Sequence, residues 1–352
     1  MSPSQKFEAR LVEEWCDDFA KLYLEPDTRR HPAEHWIATI AHCSSIGEAI
    51  RKAHYLELVK SAAHAFCWMC SYVNRCKQIQ DLIFQFSNGL TQIVHLKYPG
   101  KCGHCEQNPC GCNPLRMEEK KNKGARYWDL YNAGKDVTRN WNLDQWLGMF
   151  REVYGGRIHL MTLESIGFHF LEEAGEESQS VRKLLQLEGV ITQNVNGVDE
   201  NFLKKLTTIE GLVDEYCHGK IPRSAEGKPA LDLYSRESKH IKARVIDAKM
   251  DFVIELADTF SWFCSVLIKL QEVLENSKIW SDEFEIEKVL QREYGRKGKP
   301  LRCPRCKGIP CKCVFFSKGE MTSIAPPRNS ADRQHASFGG RESHGLGRRV
   351  RR

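Results

Sequence analysis

The sequence has no apolar run long enough to span a bilayer, and Met1 to Lys6 include no apolar segment of the kind that directs secretion. Alternating strand patterns are nearly absent as well. These absences favour an all-α fold and a cytoplasmic location without a membrane partner. With 352 residues, of which 41% are hydrophobic, the chain can bury a sizeable core and divide into more than one domain.

The chain before Lys318 also carries little net charge. The whole sequence carries +6, and the segment from Lys318 to Arg352 alone holds eight Lys or Arg residues against three Asp or Glu. A nearly neutral body argues against a broad nucleic-acid surface on the folded part. We predict that residues 317–352 form a basic, disordered tail that makes weak, nonspecific contacts with nucleic acid.

An internal repeat spans most of the remaining chain. Aromatic residues at i, i+4 and i+8 begin at Trp15 and again at Trp146, and Phe66 to Cys70 is similar to Phe260 to Cys264. The same pattern of aromatic residues along one helix face thus occurs twice, which predicts an internal duplication of the chain.

The repeat divides the sequence into segments. Residues 1–115 form a degenerate first repeat, and a charged linker over 116–140 joins it to a second repeat over 141–316. The second repeat contains an insertion of about 178–247, for which a lid and an added helical hairpin are both open interpretations.

Fifteen cysteines are present, and eight of them form two Cys-x2-Cys-x4-Cys-x-Cys clusters. Four thiolates within eleven residues suit one tetrahedral Zn²⁺, so we expect about two structural zinc ions per chain. Disulfides are disfavoured in a reducing cytosol, and the short Cys-x-Cys turn favours a single ion over an iron–sulfur cluster. The predicted ligands are Cys102, Cys105, Cys110 and Cys112 in the first cluster, and Cys303, Cys306, Cys311 and Cys313 in the second.

Two acidic pairs have helical spacing. Glu173 and Glu176 share one helix face, and Glu255 and Asp258 share another within an apolar stretch. Convergence of four carboxylates in a partly buried site requires a cation, and hard oxygen ligands suit Mg²⁺. A solvated acidic face is the competing interpretation of Glu172 to Glu177 taken alone.

Together the pairs resemble the Glu-Glu-x-x-Glu and Glu-x-x-Asp signature of the MazG-like all-α nucleoside triphosphate pyrophosphohydrolases, here with a longer separation between the motifs. Some members of that group also resemble this chain at Tyr98-Pro99 before the first cysteine cluster.

The resemblance implies two tandem MazG-like helical repeats in a pseudo-dimeric four-helix core, each ending in a small four-cysteine zinc knuckle. It also implies Mg²⁺-dependent conversion of a nucleoside triphosphate to the monophosphate and pyrophosphate in the second repeat. The metal ligands would be Glu173, Glu176, Glu255 and Asp258, with Glu172 as an accessory acid that orients water.

The first repeat lacks most of these acids. The residues at the equivalent positions are Ser44, Ser45, Glu48, Ser61 and His64. We therefore expect no catalytic Mg²⁺ there, and a role as the partner half of a pseudo-dimer. Candidates for phosphate contact are Arg51, Lys52 and Lys60. The more common interpretation of such residues is a solvent-exposed charge on a helix.

The alternative function is a non-catalytic, zinc-stapled helical scaffold or nucleic-acid-binding protein. Neither cysteine loop contains Phe, Tyr or Trp, so the stacking platforms that single strands use are missing there and structural stapling is favoured. The sequence leaves open the preferred base and sugar, and it is compatible with a homo-oligomer.

Overall fold

The computed structural model describes residues 9–79, 89–112, 141–195, 228–311 and 313, which are mostly helical and include no β-strand. The all-α prediction is confirmed. The predicted linker, the middle of the insertion (196–227) and the predicted tail lie outside the described residues. Within the described ranges, no helix combines the length and apolar character needed to cross a membrane.

Eight α-helices and one short 3₁₀ helix, Asp282–Phe284, occur in these ranges. Both ends of the predicted insertion are helical, because α6 continues to Val195 and α7 begins at Lys228. The α-helices are α1 (Val12–Thr28), α2 (Pro32–Arg51), α3 (Tyr55–Gln78), α4 (Leu90–Lys97), α5 (Leu143–Leu160), α6 (Leu163–Val195), α7 (Lys228–Asn276) and α8 (Ile286–Tyr294).

Local sequence explains several helix starts. Pro32 occupies the first turn of α2, and the His31 side chain accepts a hydrogen bond from Ala33 N. Asn142 and Gln145 form a capping box at the start of α5. These caps satisfy backbone N–H groups that have no partner within their helix.

The core consists of α2, α3, α6 and α7. Helix α2 packs against α3 and α6, and α6 packs against α7, while α1 covers α3 and α5 covers α7. The two aromatic stripes predicted from the sequence face inward, since Trp15, Phe19, Trp146 and Phe150 are fully buried. Burial of each of these side chains contributes roughly 1.5–3 kcal/mol.

Each of the short helices α4 and α8 packs against a long helix of the other half of the chain, where the first half comprises α1 to α4 and the second half α5 to α8. Helix α4 packs against α7, and α8 packs against α3. The cysteine loops cross in the same way: Cys110 N donates to Val153 O at 2.8 Å, and Cys311 N donates to Leu22 O at 2.8 Å. Two copies of one unit that exchange their last elements would form such paired contacts, although the duplication itself stays a prediction.

Candidate metal centres

Helices α6 and α7 bring three of the four predicted Mg²⁺ ligands together. Glu173 on α6 faces Glu255 and Asp258 on α7, and one carboxylate oxygen of each lies within 4.8 Å of the others. These three residues are called the acidic group below. Their spacing fits a small, hard cation, because Mg²⁺ holds its oxygen ligands at about 2.1 Å, which places them roughly 3–4 Å apart.

The acidic group lies at the edge of the helix core. Phe170 and Ala174 on α6 are buried, as are Leu256 and Ala257 on α7, so the apolar faces of both helices meet beside the carboxylates. Glu173, on the same helix, is therefore only partly exposed, which removes part of its hydration.

Burial and mutual repulsion change the protonation of the group. Burial, followed by repulsion from Asp258, raises the pKa of Glu173 to about 8, and the same two causes raise the pKa of Glu255 to about 7. The charge of Lys97 opposes both shifts but does not cancel them, so the charged forms of Glu173 and Glu255 are disfavoured near pH 7 and an added cation would favour them. The chemistry of the donor set thus fits a divalent metal.

The structure places the other two predicted acids differently. Glu176 is exposed and lies outside the group of three, but its interaction with Glu255 contributes to the raised pKa of Glu255. The Glu172 side chain is 64% exposed and pairs with His169 on the same helix, 3.2 Å away. Glu172 is thus not one of the grouped carboxylates.

Two residues that sequence reasoning did not assign to the site, Lys97 and Tyr98, contact it from the end of α4. The Lys97 ammonium forms an ion pair with Asp258 Oδ2, and the Tyr98 hydroxyl donates to Asp258 Oδ1. Ser261 Oγ lies 3.4 Å from the same hydroxyl. In the sequence Tyr98 belongs only to the pattern that precedes the first cysteine cluster, and no local signal links it to a helix about 160 residues away.

A further acid, Glu177, lies in the core next to the group. Its side chain is fully buried; Tyr72 OH donates to Oε1 at 3.2 Å, and Oε2 has no hydrogen-bond partner. Burial raises the pKa of Glu177 well above its ordinary value, which favours the neutral form of this carboxyl.

An aromatic pair extends the site by one helix turn. His169 lies four residues before Glu173, Trp262 lies four residues after Asp258, and their rings stack with centroids 4.7 Å apart. Both side chains are partly exposed. The pair therefore places two partly exposed aromatic rings about one helix turn from the carboxylates.

The first half has no comparable acidic group in the part of the chain that the structure describes. His64 and Tyr294 share a hydrogen bond of 2.8 Å, which is the counterpart of the contact between Tyr98 and Asp258. Glu48 is exposed and pairs with Lys52. Of the remaining candidates, Arg51, Ser44 and Ser45 are exposed or partly exposed, Lys60 is partly exposed and Ser61 is buried.

Both cysteine clusters converge as predicted. In each cluster the four sulfur atoms lie within 4.8 Å of one another. The distance is 3.4 Å between Cys102 and Cys110 and 3.8 Å between Cys303 and Cys313, close to the roughly 3.8 Å edge of a tetrahedron with Zn–S bonds of 2.3 Å. Residues 102–112 (the first knuckle) and 303–313 (the second knuckle) therefore fit one zinc ion each.

The thiols of the first knuckle ionise unequally. Slight burial opposes ionisation of Cys105, but backbone hydrogen bonds at Gln107 and Gly111 outweigh it and lower its pKa to about 6. Burial and the neighbouring thiols raise the pKa of Cys112. A cation is needed to hold all four sulfurs as thiolates, which again fits Zn²⁺.

No family model, no curated protein and no solved structure matches the chain. The geometry of the acidic group and of the two cysteine clusters is therefore the basis for inferring a function.

Proposed function

We propose that the chain is a Mg²⁺-dependent nucleoside triphosphate pyrophosphohydrolase of the MazG-like type, with its active site in the second half. The convergence of Glu173, Glu255 and Asp258 on facing helices carries this proposal. Lys97 offsets only part of the repulsion among these crowded, partly buried carboxylates, and a divalent cation would offset more of it.

The reaction suits what these residues supply. Water attacks the α-phosphorus, the bond from this phosphorus to the oxygen that bridges to the β-phosphate breaks, and the products are monophosphate and pyrophosphate. When bound, Mg²⁺ would neutralise phosphate charge, held by Glu173, Glu255 and Asp258. Glu176 adds negative potential beside Glu255, whereas the exposed position of Glu172 gives it no role in the proposal.

The aromatic pair supports a nucleotide as the substrate. Trp262 and His169 lie within one helix turn of the acidic group on both helices, at a distance that a nucleotide covers between its base and its phosphates. Stacking is tolerant of base identity, because every base has a π face. The acidic group and the aromatic surface together thus match the two ends of a nucleoside triphosphate.

The first half then completes the fold as a non-catalytic partner. Its α4 delivers Lys97 and Tyr98 to Asp258, so the proposed site uses residues of both halves. This arrangement, together with the paired backbone contacts of Cys110 and Cys311, supports two tandem MazG-like repeats that pack as a pseudo-dimer.

The direct test is pyrophosphate release from a panel of ribonucleoside and deoxyribonucleoside triphosphates, with Mg²⁺ and with excess chelator. We expect monophosphate and pyrophosphate in a 1:1 ratio only with Mg²⁺. Release of diphosphate and orthophosphate would refute the assignment. No turnover of any nucleotide would favour the zinc-stapled scaffold instead.

A further inference from the structure

The first knuckle begins four residues after Tyr98, so the chain that enters it also contacts the acidic group. Tyr98 is buried with its ring edge-on to Phe150 and Tyr154 of α5, at centroid distances of 5.4 Å and 6.1 Å. Its hydroxyl and the Lys97 ammonium both contact Asp258. The position of these two donors therefore depends on how the chain after them is held.

The first knuckle is fixed to the same surface of α5. Gly103 N donates to the Tyr154 hydroxyl at 3.1 Å, and Cys110 N donates to Val153 O at 2.8 Å. A loop of eleven residues has no hydrophobic core of its own, so its folded shape requires the metal. Loss of zinc would release both anchors and, with them, the end of α4.

The second knuckle has the same cysteine spacing but contacts residues that are not part of the acidic group. Cys311 N donates to Leu22 O, and the ring of Tyr294 packs against Phe19 with centroids 4.9 Å apart. The Tyr294 hydroxyl meets His64 rather than a carboxylate. The second knuckle is therefore an internal control for effects of zinc on general stability.

We propose that zinc in the first knuckle holds Lys97 and Tyr98 against Asp258 as positioning residues, and that loss of this zinc, unlike loss of zinc from the second knuckle, changes the divalent-cation affinity of the acidic group. The proposal rests on the metal site of the proposed function. In the resting protein the ammonium competes with a divalent cation for Asp258, so its release exposes uncompensated negative charge and strengthens metal binding by about tenfold.

Matched cysteine variants test this inference. Cys105→Ser and Cys306→Ser occupy equivalent positions, and each should lower the zinc content by about one ion per chain. Mn²⁺ binding without nucleotide, measured by the electron paramagnetic resonance of the free ion, should become about tenfold tighter in Cys105→Ser and change less than about twofold in Cys306→Ser. A merely destabilised fold would weaken metal binding rather than strengthen it.

Two further variants guard against loss of folding. Lys97→Met should reproduce the tighter Mn²⁺ binding with the zinc content unchanged. Tyr154→Phe removes the hydrogen bond to Gly103 and should shift Mn²⁺ affinity in the same direction. Tyr23→Phe is its control, because the Tyr23 hydroxyl hydrogen-bonds to Cys303 of the second knuckle. Equal shifts in each matched pair, or weaker Mn²⁺ binding in Lys97→Met, would overturn the inference.

Absence of Mn²⁺ binding in the zinc-loaded wild type would refute the metal site of the proposed function. The zinc-dependent anchoring is then decided by hydrogen exchange of residues 90–98. Faster exchange in Cys105→Ser but not in Cys306→Ser supports the anchoring, and unchanged exchange in both variants refutes it.

Discussion

Glu173 is the only member of the acidic group that α6 contributes, so a cation bound there would bridge the two helices through this side chain. We predict that Glu173→Gln lowers kcat by at least about 100-fold, because loss of a direct metal ligand exceeds the 10- to 100-fold effects of outer contacts. Glu48→Gln is the matched control, because Glu48 is exposed and pairs with Lys52. Equal losses of pyrophosphate release in both variants would contradict the assignment to one half.

Trp262 provides the test of the nucleotide end of the site. If the base stacks on it, Trp262→Ala should raise KM about tenfold with little change in kcat, since stacking contributes roughly 1–3 kcal/mol per base. Trp68→Ala is the control, because Trp68 occupies the corresponding position in α3 and is covered by Arg30, 5.3 Å from its ring centroid. An unchanged KM in Trp262→Ala would show that the base binds elsewhere.

The sequence could predict Glu173, Glu255 and Asp258 because helical spacing places acids on definite faces, and the apolar surroundings of α7 indicated partial burial. It could not predict the positions of Lys97 and Tyr98, since their contact with Asp258 depends on which helix α4 packs against. Glu172 and Glu173 are adjacent in the sequence. Only the packing of α6 shows which of the two faces α7 and which is exposed to solvent.

At the scale of elements, the connection between α1 and α2 buries an acid and a base together. Asp27 Oδ1 lies 3.9 Å from His35 Nδ1, and both side chains are buried. Burial raises the pKa of Asp27 to about 7, against the opposing charge of Arg30, and burial lowers the pKa of His35 to about 3. Both groups are therefore uncharged near pH 5.

We predict that Asp27→Asn gains stability relative to wild type as the pH rises from about 4 to 7. A raised pKa in the folded state gives stability that is present below the unfolded pKa and lost as pH rises through the folded pKa, by up to roughly 1.4 kcal/mol per pH unit. The lowered pKa of His35 changes stability with pH in the opposite direction. This contribution is present in both proteins, so it largely cancels when the variant is compared with the wild type.

Urea unfolding at pH 4, 5.5, 7 and 8 measures this difference. Glu34→Gln, which removes an exposed acid from α2, provides the baseline. A free-energy difference between Asp27→Asn and wild type that stays constant across the series would show that Asp27 is already charged in the folded protein at low pH.

The two knuckles are the elements that the sequence predicted most completely, because four cysteines so close in the chain can converge without help from the rest of the fold. We predict about two Zn²⁺ per chain in purified protein, measured by elemental analysis. Iron in place of zinc, or less than about half of this zinc content, would contradict the prediction.

The partners of the short helices were not predictable in the same way. Periodicity indicates that α4 and α8 are amphipathic, but it does not indicate that α4 packs on α7 and α8 on α3. Helix α4 has only eight residues, too few to be stable alone in water. Its position is fixed by the tertiary contacts of its apolar face and by the knuckle that follows it.

At the scale of the whole molecule, these crossings pack the two halves into one compact unit. The last helix of each half, α4 or α8, packs against a long helix of the other half, and each knuckle hydrogen-bonds to the backbone of the other half. We therefore predict a single thermal unfolding transition, coincident by far-ultraviolet circular dichroism and by tryptophan fluorescence. The tryptophans report on both halves, because Trp15 and Trp146 are each fully buried.

Loss of either knuckle should lower the midpoint of that one transition, because the free energy of metal binding is part of the free energy of folding. We expect Cys303→Ser and Cys102→Ser each to lower Tm by roughly 5–10 °C, and both probes to shift together. Two separated transitions, or a shift seen by one probe alone, would show that the halves unfold independently. The crossed helices would then be contacts between two domains rather than parts of one core.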